Sequence, residues 1–210
     1  MVSQENKVAI ITGAGTGIGE AATIELYKDG YNVILAGRRI EKLNNVIAKL
    51  PVKNNKATAI VCDVSDPNSV SILFKETKKR FNRLDILFNN AGISLGGRIE
   101  EINIEDWKKV VDINLNGMFF CTQEAFKIMK NQSPIGGRII NNGSISAHAP
   151  RPHSAPYTTT KHAVTGLTKS TSLDGREYNI ACSQIDIGNA LTPLAARMAK
   201  GVPQADGSIK

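Results

Sequence analysis

Short apolar runs alternate with longer amphipathic stretches along this chain. Six of the runs predict β-strands, at residues 8–11, 32–36, 56–62, 84–88, 137–141 and 180–185. The runs are almost continuously apolar, which is typical of strands in a parallel sheet that is covered on both faces. Together with the helical stretches between them, they predict a single α/β domain built on a doubly wound parallel sheet.

The intervening stretches predict helices at residues 17–28, at 39–50, from Asp66-Pro67 onward, at 104–129 and at 157–174. Proline suits the first turn of a helix, and Pro51 stops the second helix. The fourth stretch is interrupted near residues 114–117, which read Asn-Leu-Asn-Gly. Residues 199–210 are polar and rich in turn formers, so we expect a loop or a frayed tail there.

Length and composition are those of one globular domain covering residues 1–210. No apolar run approaches the roughly 20 residues that span a bilayer, and the first residues lack the regions of a secretory signal. Cys62, Cys121 and Cys182 show no metal-site or redox spacing, so we expect buried, reduced thiols. These features predict a soluble cytoplasmic protein that does not bind a membrane.

The chain carries 26 basic and 19 acidic residues, a formal net charge of +7. Such an excess permits attraction to anions, nucleic acid included. The basic residues are scattered, however, and short groups such as Lys78-Lys79-Arg80 fit solvated helix faces. Because no basic run is interleaved with aromatic residues, which form only 5% of the chain, we expect no specific nucleic-acid binding.

A glycine-rich turn follows the first predicted strand and opens a helix, with the spacing Gly13-x-x-x-Gly17-x-Gly19 and with Thr16 and Ile18 between the glycines. Glycine permits a positive φ and a close approach of the backbone to a ligand. The helix N-terminus presents unpaired N–H groups to a pyrophosphate. No Lys-Ser/Thr pair of the P-loop type follows, so we interpret the turn as a dinucleotide site, with a merely flexible turn as the alternative.

Two arginines, Arg38 and Arg39, follow the second predicted strand. In NAD-binding folds an acidic side chain near this point bonds the ribose 2′-hydroxyl, but here Gly37 stands where that carboxylate could be. A guanidinium suits a phosphate through its planar fork of donors. The sequence therefore favours NADP(H) over NAD(H), with Arg38 as the better candidate, while a surface pair at a helix start is the alternative.

Tyr157 and Lys161 stand four residues apart on a predicted helix, so their side chains project from the same face. A phenol is a poor proton donor and acceptor at neutral pH, and a neighbouring cation is expected to lower its pKa. The phenol could then exchange a proton with a substrate oxygen. This pair is a weak signal alone and gains its meaning from the motifs around it.

Taken together, these motifs resemble those of the short-chain dehydrogenase/reductase family over essentially the whole chain. The family's motifs occur in order: TGxxxGIG at 12–19, Asp63-Val64 after the third strand, Asn89-Asn90-Ala91-Gly92 after the fourth, Asn114 opening Asn-x-x-Gly, and Ser144 thirteen residues before Tyr157-x-x-x-Lys161. The resemblance implies a Rossmann-type fold and a nicotinamide cofactor. The cofactor-binding residues predicted in this way are Gly13, Thr16, Gly17, Ile18, Gly19, Arg38, Arg39, Asp63, Val64, Asn90, Ala91, Gly92, Tyr157, Lys161, Ile187 and Thr192.

The resemblance also implies the catalytic roles. Ser144 would bond the substrate oxygen, Tyr157 would give or take the proton, and Lys161 would bind the nicotinamide ribose and lower the tyrosine pKa. Asn114 would hold a water through which protons reach Lys161. The hydride passes directly between the nicotinamide and a carbonyl or alcohol carbon, so no metal is expected.

Each residue also has a simpler structural alternative. Ser144 could cap a helix or turn, Asn114 could stabilise a helix kink, and Asp63 could form an Asx-turn. Asn89 and Asn90 could be ordinary turn residues.

The chain departs from the family pattern in two places. After the sixth strand the family usually has Pro-Gly, and here Ile187 replaces the proline while Gly188 and Thr192 are kept. Family members also continue for several tens of residues, so we expect this sequence to lack a last helix and a seventh strand.

The leading hypothesis is an NADP(H)-dependent oxidoreductase that acts on a small carbonyl or alcohol substrate as a homodimer or homotetramer. The alternative is a nucleotide-sensing protein that binds NADP(H) without turnover, although Tyr157 and Lys161 are both present. Substrate choice depends on residues 93–97 and 147–156, and His148 and His153 border the expected pocket.

Overall fold

The structure is a computed structural model that describes residues 6–188 together with Ala190, Thr192, Gly201 and Ser208. Six parallel strands form one sheet in the order β3-β2-β1-β4-β5-β6. The strands are β1 (Val8–Thr12), β2 (Asn32–Gly37), β3 (Ala57–Val61), β4 (Ile86–Asn89), β5 (Gly137–Asn142) and β6 (Ile180–Ile185). This is the predicted doubly wound sheet, and its strand order reverses between β1 and β4, where ligands bind in such folds.

Helices connect the strands. They are α1 (Gly17–Lys28), α2 (Ile40–Ile47), α3 (Pro67–Phe81), α4 (Ile104–Val111), α5 (Gly117–Met129) and α6 (Ala155–Asp174). The start of α3 is stabilised by the Asp66 side chain, which accepts from the Asn68 N–H, with Pro67 in the first turn. The predicted interruption of the fourth helical stretch is confirmed, because a π-helical turn, Asp112–Asn116, separates α4 from α5.

Some predicted bounds were wrong. The second helix ends at Ile47 and not at residue 50, and β4 begins at Ile86 and not at residue 84. Leu84 is buried, but its N–H bonds the side chain of Gln132 and not a neighbouring strand. The prediction of a loop or frayed tail at residues 199–210 lies outside the described residues, apart from Gly201 and Ser208.

The core lies on both faces of the sheet, because side chains alternate along each strand. On one face, Val8 and Ile10 of β1 pack with α3 and α5. On the other face, Ala9 and Ile11 pack with α1 and α2. The strands are therefore apolar on both sides, which explains the continuous runs in the sequence.

Cys62, Cys121 and Cys182 are buried free thiols, as predicted, and burial raises the pKa of both Cys62 and Cys182 to about 11. None of the helices in the described part of the chain combines the length and the hydropathy needed to cross a membrane.

Gln132 follows α5 and bonds the backbone just before β4 and just before β5. Its buried side chain accepts from the Leu84 N–H at 2.7 Å and donates to the carbonyls of Leu84 at 2.9 Å and of Gly136 at 2.7 Å. Three backbone groups next to β4 and β5 therefore depend on one amide.

We predict that Gln132→Leu lowers the free energy of unfolding by about 3 kcal/mol, because it leaves buried backbone groups without partners. Urea unfolding would measure the loss. Asn131→Ala, at the exposed neighbouring position, is the control and should change the stability by less than about 0.5 kcal/mol. A loss below about 1 kcal/mol in Gln132→Leu would contradict the assignment.

Candidate active site

The glycine turn lies between β1 and α1, at the point where the strand order reverses. Gly13 and Gly17 have φ values of +65° and +58°, which favour glycine. A Cβ on Gly13 would lie 3.0 Å from the Ala91 Cα, and one on Gly19 would overlap the Gly13 carbonyl oxygen. Residues 15–18 stay partly exposed beside the start of α1. Because the turn lacks side-chain bulk at a helix N-terminus, these residues fit a bound pyrophosphate.

Thr12 and Asn90 join the glycine turn to the end of β4. The Thr12 hydroxyl accepts from the backbone N–H groups of Asn90 at 2.9 Å and of Ala91 at 3.0 Å. In return, the Asn90 side chain donates to the carbonyls of Thr12 at 2.9 Å and of Gly13 at 3.3 Å. The structure thus brings the predicted residues of the two motifs together, and Asn90 is more than an ordinary turn residue.

Asn142 continues this connection to Lys161. Its side chain donates to Asn90 Oδ1 at 2.9 Å, and its backbone carbonyl accepts from Lys161 Nζ at 2.6 Å. The ammonium is therefore fixed relative to the glycine turn through two asparagines. The sequence analysis did not single out Asn142, and its position at the carboxyl end of β5, beside the end of β4, is the signal that could have found it.

The structure brings Ser144, Tyr157 and Lys161 together. Lys161 Nζ lies 5.4 Å from the centroid of the Tyr157 ring, one turn along α6. Ser144 is buried, and its side chain is a hydrogen-bonding neighbour of the Tyr157 phenol. Its Oγ also accepts from the Ser146 N–H at 3.1 Å, so Ser144 both caps a short 3₁₀ turn and faces the tyrosine.

The predicted lowering of the Tyr157 pKa by Lys161 stays a prediction, and burial acts in the opposite direction. Burial raises the pKa of Tyr157 above its ordinary value and outweighs the lowering effects of the Ser144 hydrogen bond and of the Arg151 charge.

Burial also acts on Lys161, which is only 6% exposed. Desolvation lowers the pKa of Lys161 from 10.5 to about 8, although the Asp186 carboxylate acts in the opposite direction. Both groups of the pair are therefore shifted toward their neutral forms.

Asn114 lies in the π-helical turn and is almost completely buried. Its side chain accepts from the Ile93 N–H at 2.8 Å, donates to the Ile93 carbonyl at 2.9 Å and donates to Thr160 Oγ1 at 3.3 Å. These contacts occupy the amide, so the side chain itself holds the loop after β4. A water relay at Asn114 stays a prediction.

Arg38 and Asp63 lie at the ends of β2 and β3, beside a cavity of about 330 Å³ that Lys108 and Lys109 of α4 also line. The Asp63 side chain accepts from the N–H and the hydroxyl of Ser65, which is the Asx-turn alternative. Partial burial alone would raise the pKa of Asp63, but these bonds and the charge of Arg38 hold it below its usual value. The charge of Arg38 therefore favours the ionised form of Asp63, and both residues line the same cavity.

The remaining predicted cofactor residues have these positions. Arg39 is exposed and begins α2 with its backbone, and Val64 is buried next to Asp63. Gly92 follows Ala91 and lies near Asn114. The Ile187 carbonyl accepts from the Ile145 N–H at 3.4 Å, which places residue 187 beside the Ser144 segment.

The predicted bond of Thr192 to the cofactor stays a prediction.

The two loops expected to decide substrate choice lie against each other. The Gly97 N–H bonds the His153 carbonyl at 3.0 Å, and a Cβ on Gly96 would overlap that same carbonyl oxygen. His153 itself has a φ of +62°. His148 does not take part in this contact, and its Nε2 is 2.8 Å from Asp186 Oδ2.

Asp186 was not among the predicted site residues. It follows β6 and contacts the Ser144 segment, so an acid at the carboxyl end of a strand is the sequence signal that could have found it. Among the residues that the structure describes, no cluster of three or more His, Cys, Asp or Glu side chains could hold a metal ion.

Comparison with known proteins agrees with this geometry. The family described as short chain dehydrogenase matches residues 7–202. The chain belongs to this family of oxidoreductases.

Two curated relatives illustrate the range of the family. A 3beta-hydroxysteroid dehydrogenase of Mediterraneibacter gnavus is 38% identical over 194 residues, which cover 92% of this chain and 69% of that protein. A cyclohexanol dehydrogenase of an Acinetobacter species is 33% identical over 193 residues, with 91% of this chain and 76% of the relative covered.

Solved structures show the same fold. An actinorhodin polyketide ketoreductase with NADPH matches with a TM-score of 0.88 at 32% identity, covering 95% of this chain and 77% of that one. A 3-ketoacyl-(acyl-carrier-protein) reductase of Brucella melitensis, complexed with NADH, matches with a TM-score of 0.87 at 29% identity, covering 92% and 80%.

The lowered pKa of Lys161 predicts a stability penalty. Below pH 8 the folded chain holds a buried ammonium, at a cost of about 3 kcal/mol relative to an ordinary lysine. Between about pH 8 and 10.5 the folded lysine has lost its proton while the unfolded one keeps it, so the cost disappears as the pH rises.

We therefore expect Lys161→Met to be about 2 kcal/mol more stable than the natural chain at pH 7, once a lost hydrogen bond is subtracted. Urea unfolding from pH 7 to 10 should show this advantage shrinking. Lys169→Met, at an exposed position of the same helix, should stay within about 0.5 kcal/mol. A Lys161→Met chain that is less stable at pH 7 would rule out the penalty.

Proposed function

We propose that this oxidoreductase transfers a hydride between NADP(H) and the carbonyl or secondary alcohol carbon of a small molecule. The observation that carries the proposal is the convergence of Ser144, Tyr157 and Lys161 next to the glycine turn. Hydrogen bonds through Asn90 and Asn142 fix the position of Lys161 relative to that turn. The proposed coenzyme-binding turn and the proposed acid–base pair therefore lie together at the carboxyl ends of the strands.

The residues divide the chemistry in the following way. When bound, the nicotinamide dinucleotide supplies the hydride for reduction or accepts it in oxidation. The Ser144 hydroxyl donates a hydrogen bond to the substrate oxygen. Tyr157 Oη gives a proton to that oxygen in reduction and removes it in oxidation.

Lys161 stabilises the developing phenolate of Tyr157 by its charge and bonds the nicotinamide ribose. Because burial raises the pKa of Tyr157, the phenol stays protonated and ready to donate at neutral pH in the free protein. This favours carbonyl reduction near neutral pH and alcohol oxidation at higher pH.

The preference for NADP(H) rests on the end of β2. Gly37 offers no carboxylate to repel a 2′-phosphate, and Arg38 lies exposed at the cavity between β2 and α4. Lys108 and Lys109 lie on the other wall, but Glu105 and Asp112 line the same cavity. Glu105 also pairs with Lys108 at 2.9 Å, so the preference depends on Arg38 and on the missing carboxylate at residue 37. Because relatives of this fold are described with NADH and with NADPH, Arg38 is the residue to test.

The substrate class is a carbonyl compound or secondary alcohol. The relatives' names cover a hydroxysteroid, cyclohexanol and an acyl-carrier-bound ketoacyl group, which share this functional group. The common chemistry, and not any one of these molecules, is what the comparison supports.

We also propose a cytoplasmic homodimer or homotetramer that assembles through α5 and α6. The outer faces of these helices carry the exposed apolar side chains of Phe119 and Leu173, beside a groove lined by Phe126 and Leu167. A second copy would cover this apolar surface. The three buried free thiols fit a reducing compartment.

We predict that Tyr157→Phe lowers kcat by about 100- to 10,000-fold, because it removes the proton donor. NADPH binding, measured by fluorescence titration, should change little. The assay is a panel of carbonyl and alcohol substrates followed at the NADPH absorbance. Tyr178→Phe, which removes a phenol distant from the site, is the matched control. Full turnover in Tyr157→Phe would remove Tyr157 as the acid, and no turnover in the natural chain would favour the sensor alternative.

Arg38→Ala should weaken NADPH binding by about 10- to 100-fold and NADH binding far less, because only NADPH carries the 2′-phosphate that the guanidinium bonds. Titration of both coenzymes against both chains gives the four dissociation constants. Arg176→Ala, an exposed arginine near β6, controls for the loss of one charge. Equal weakening of both coenzymes would refute phosphate recognition by Arg38.

A further inference from the structure

Asp186, at the carboxyl end of β6, has no part in the mechanism above, yet its side chain is held by three donors. Oδ1 accepts from the Ser144 N–H at 3.0 Å and from Gln184 Nε2 at 2.6 Å. Oδ2 accepts from His148 Nε2 at 2.8 Å. The carboxylate therefore has a fixed orientation and directly contacts the backbone of Ser144.

Gly143 makes this contact possible. It is buried and precedes Ser144, and its N–H bonds the Ile185 carbonyl at 2.9 Å. A Cβ at this position would overlap Asp186 Oδ1 and lie 2.8 Å from Cγ and Nε2 of Gln184. Residue 143 is thus sterically coupled to Asp186, because only glycine leaves room for the carboxylate beside the Ser144 backbone.

The carboxylate also has an electrostatic effect. Partial burial would raise the pKa of Asp186, but the hydrogen bonds from His148, Gln184 and Ser144 hold it below its usual value, so it is ionised at neutral pH. Its charge raises the pKa of Lys161 against the larger effect of burial.

The titratable and charged groups around Lys161 come from three elements. Tyr157 lies on the same helix, Asp186 follows β6, and His148 lies beyond Asp186 on the segment after β5. Arg151 acts on Tyr157 from the loop before α6. Asp186 is the group that opposes desolvation of the ammonium.

We propose that Asp186 is a positioning residue for the proposed reaction, one that fixes the Ser144 backbone through Oδ1. It also places a negative charge at the Ser144 N–H, two residues along the chain from the Asn142 carbonyl that holds Lys161. The proposal rests on the function proposed above. It assigns two separable effects to one carboxylate, one of geometry at Ser144 and one of charge at Lys161. His148 orients the carboxylate from its other oxygen.

Two variants separate these effects. Asp186→Asn keeps an oxygen that can accept from the Ser144 N–H but removes the charge, whereas Asp186→Ala removes both. At pH 6, where Lys161 stays protonated, Asp186→Ala should lower kcat by about tenfold through loss of orientation, and Asp186→Asn should stay within about threefold. Equal kcat values for Asp186→Ala and the natural chain would overturn the positioning role.

The charge effect has a pH signature. Carbonyl reduction should fall at high pH as Lys161 loses its proton, and Asp186→Asn should move this fall to lower pH by about 0.5–1 pH unit. The control is Asp29→Asn, which removes the same charge from an exposed position near the amino end of β2. If the rate of carbonyl reduction by Asp186→Asn fell at the same pH as in the natural chain, the electrostatic role would be overturned.

A measurement without substrate or coenzyme keeps this test independent of the proposed function. The Lys161 ε-methylene signal, assigned by its absence in Lys161→Met, can be titrated by NMR in the free protein. We expect a lower midpoint in Asp186→Asn than in the natural chain. If no substrate turned over while this shift occurred, the proposed function would fail and the charge effect of Asp186 on Lys161 would stand.

The coupling with Gly143 gives a further check. Gly143→Ala should lower kcat in the natural chain because the new methyl group displaces the Asp186 carboxylate, and it should have a smaller effect when Asp186 is already alanine. Thermal unfolding of each variant separates a loss of folding from a loss of positioning. Additive effects of the two substitutions would contradict the coupling.

Discussion

The hydrogen-bond chain between the glycine turn and Lys161 crosses three parallel strands where they end. Asn90 donates to the carbonyls of Thr12 and Gly13, Asn142 donates to Asn90, and Lys161 donates to the Asn142 carbonyl. At the end of a strand the backbone ladder stops, and polar side chains must take over the bonding of buried groups. The hydrogen bonds that stabilise the carboxyl ends of these strands thereby also set the distance between the proposed coenzyme turn and the proposed catalytic pair. A change in this chain would affect the fold and the reaction together.

A second buried network lies just behind the first. Asn89 donates to Asn141 Oδ1 at 3.0 Å, Asn141 donates to Thr168 of α6 at 2.9 Å, and Thr168 lies within 3.2 Å of Gln184. Gln184 in turn donates to Asp186. Linked amides in a low-dielectric interior favour one arrangement, because unpaired polar atoms are costly. Among the described residues, Asn89 Oδ1 is a buried atom without a partner. The helix that carries Tyr157 and Lys161 is therefore fixed to the sheet by polar contacts as well as by packing.

Desolvation is the dominant electrostatic effect in the site. It raises the pKa of Tyr157 and lowers that of Lys161, so each group is shifted toward its neutral form. A buried ammonium reduces stability and is retained where function requires it, a trade-off common at active sites. The Asp186 carboxylate offsets part of this penalty from the end of β6. The site thus combines a proton donor that stays protonated at neutral pH with a cation whose charge depends on its neighbours.

The amino-acid sequence alone determined the order of strands and helices, the glycine turn and the residues of the proposed catalytic set, because apolar periodicity and fixed motif spacing are local properties. It placed α1 (Gly17–Lys28) and β6 (Ile180–Ile185) with the bounds found in the structure and anticipated the break at Asn114. Only the tertiary structure decided which groups Asn114 bonds, that burial raises the pKa of Tyr157, and that Asp186 reaches the Ser144 backbone. Those outcomes depend on contacts between residues far apart in the chain and on the exclusion of water, and neither is encoded in any short segment.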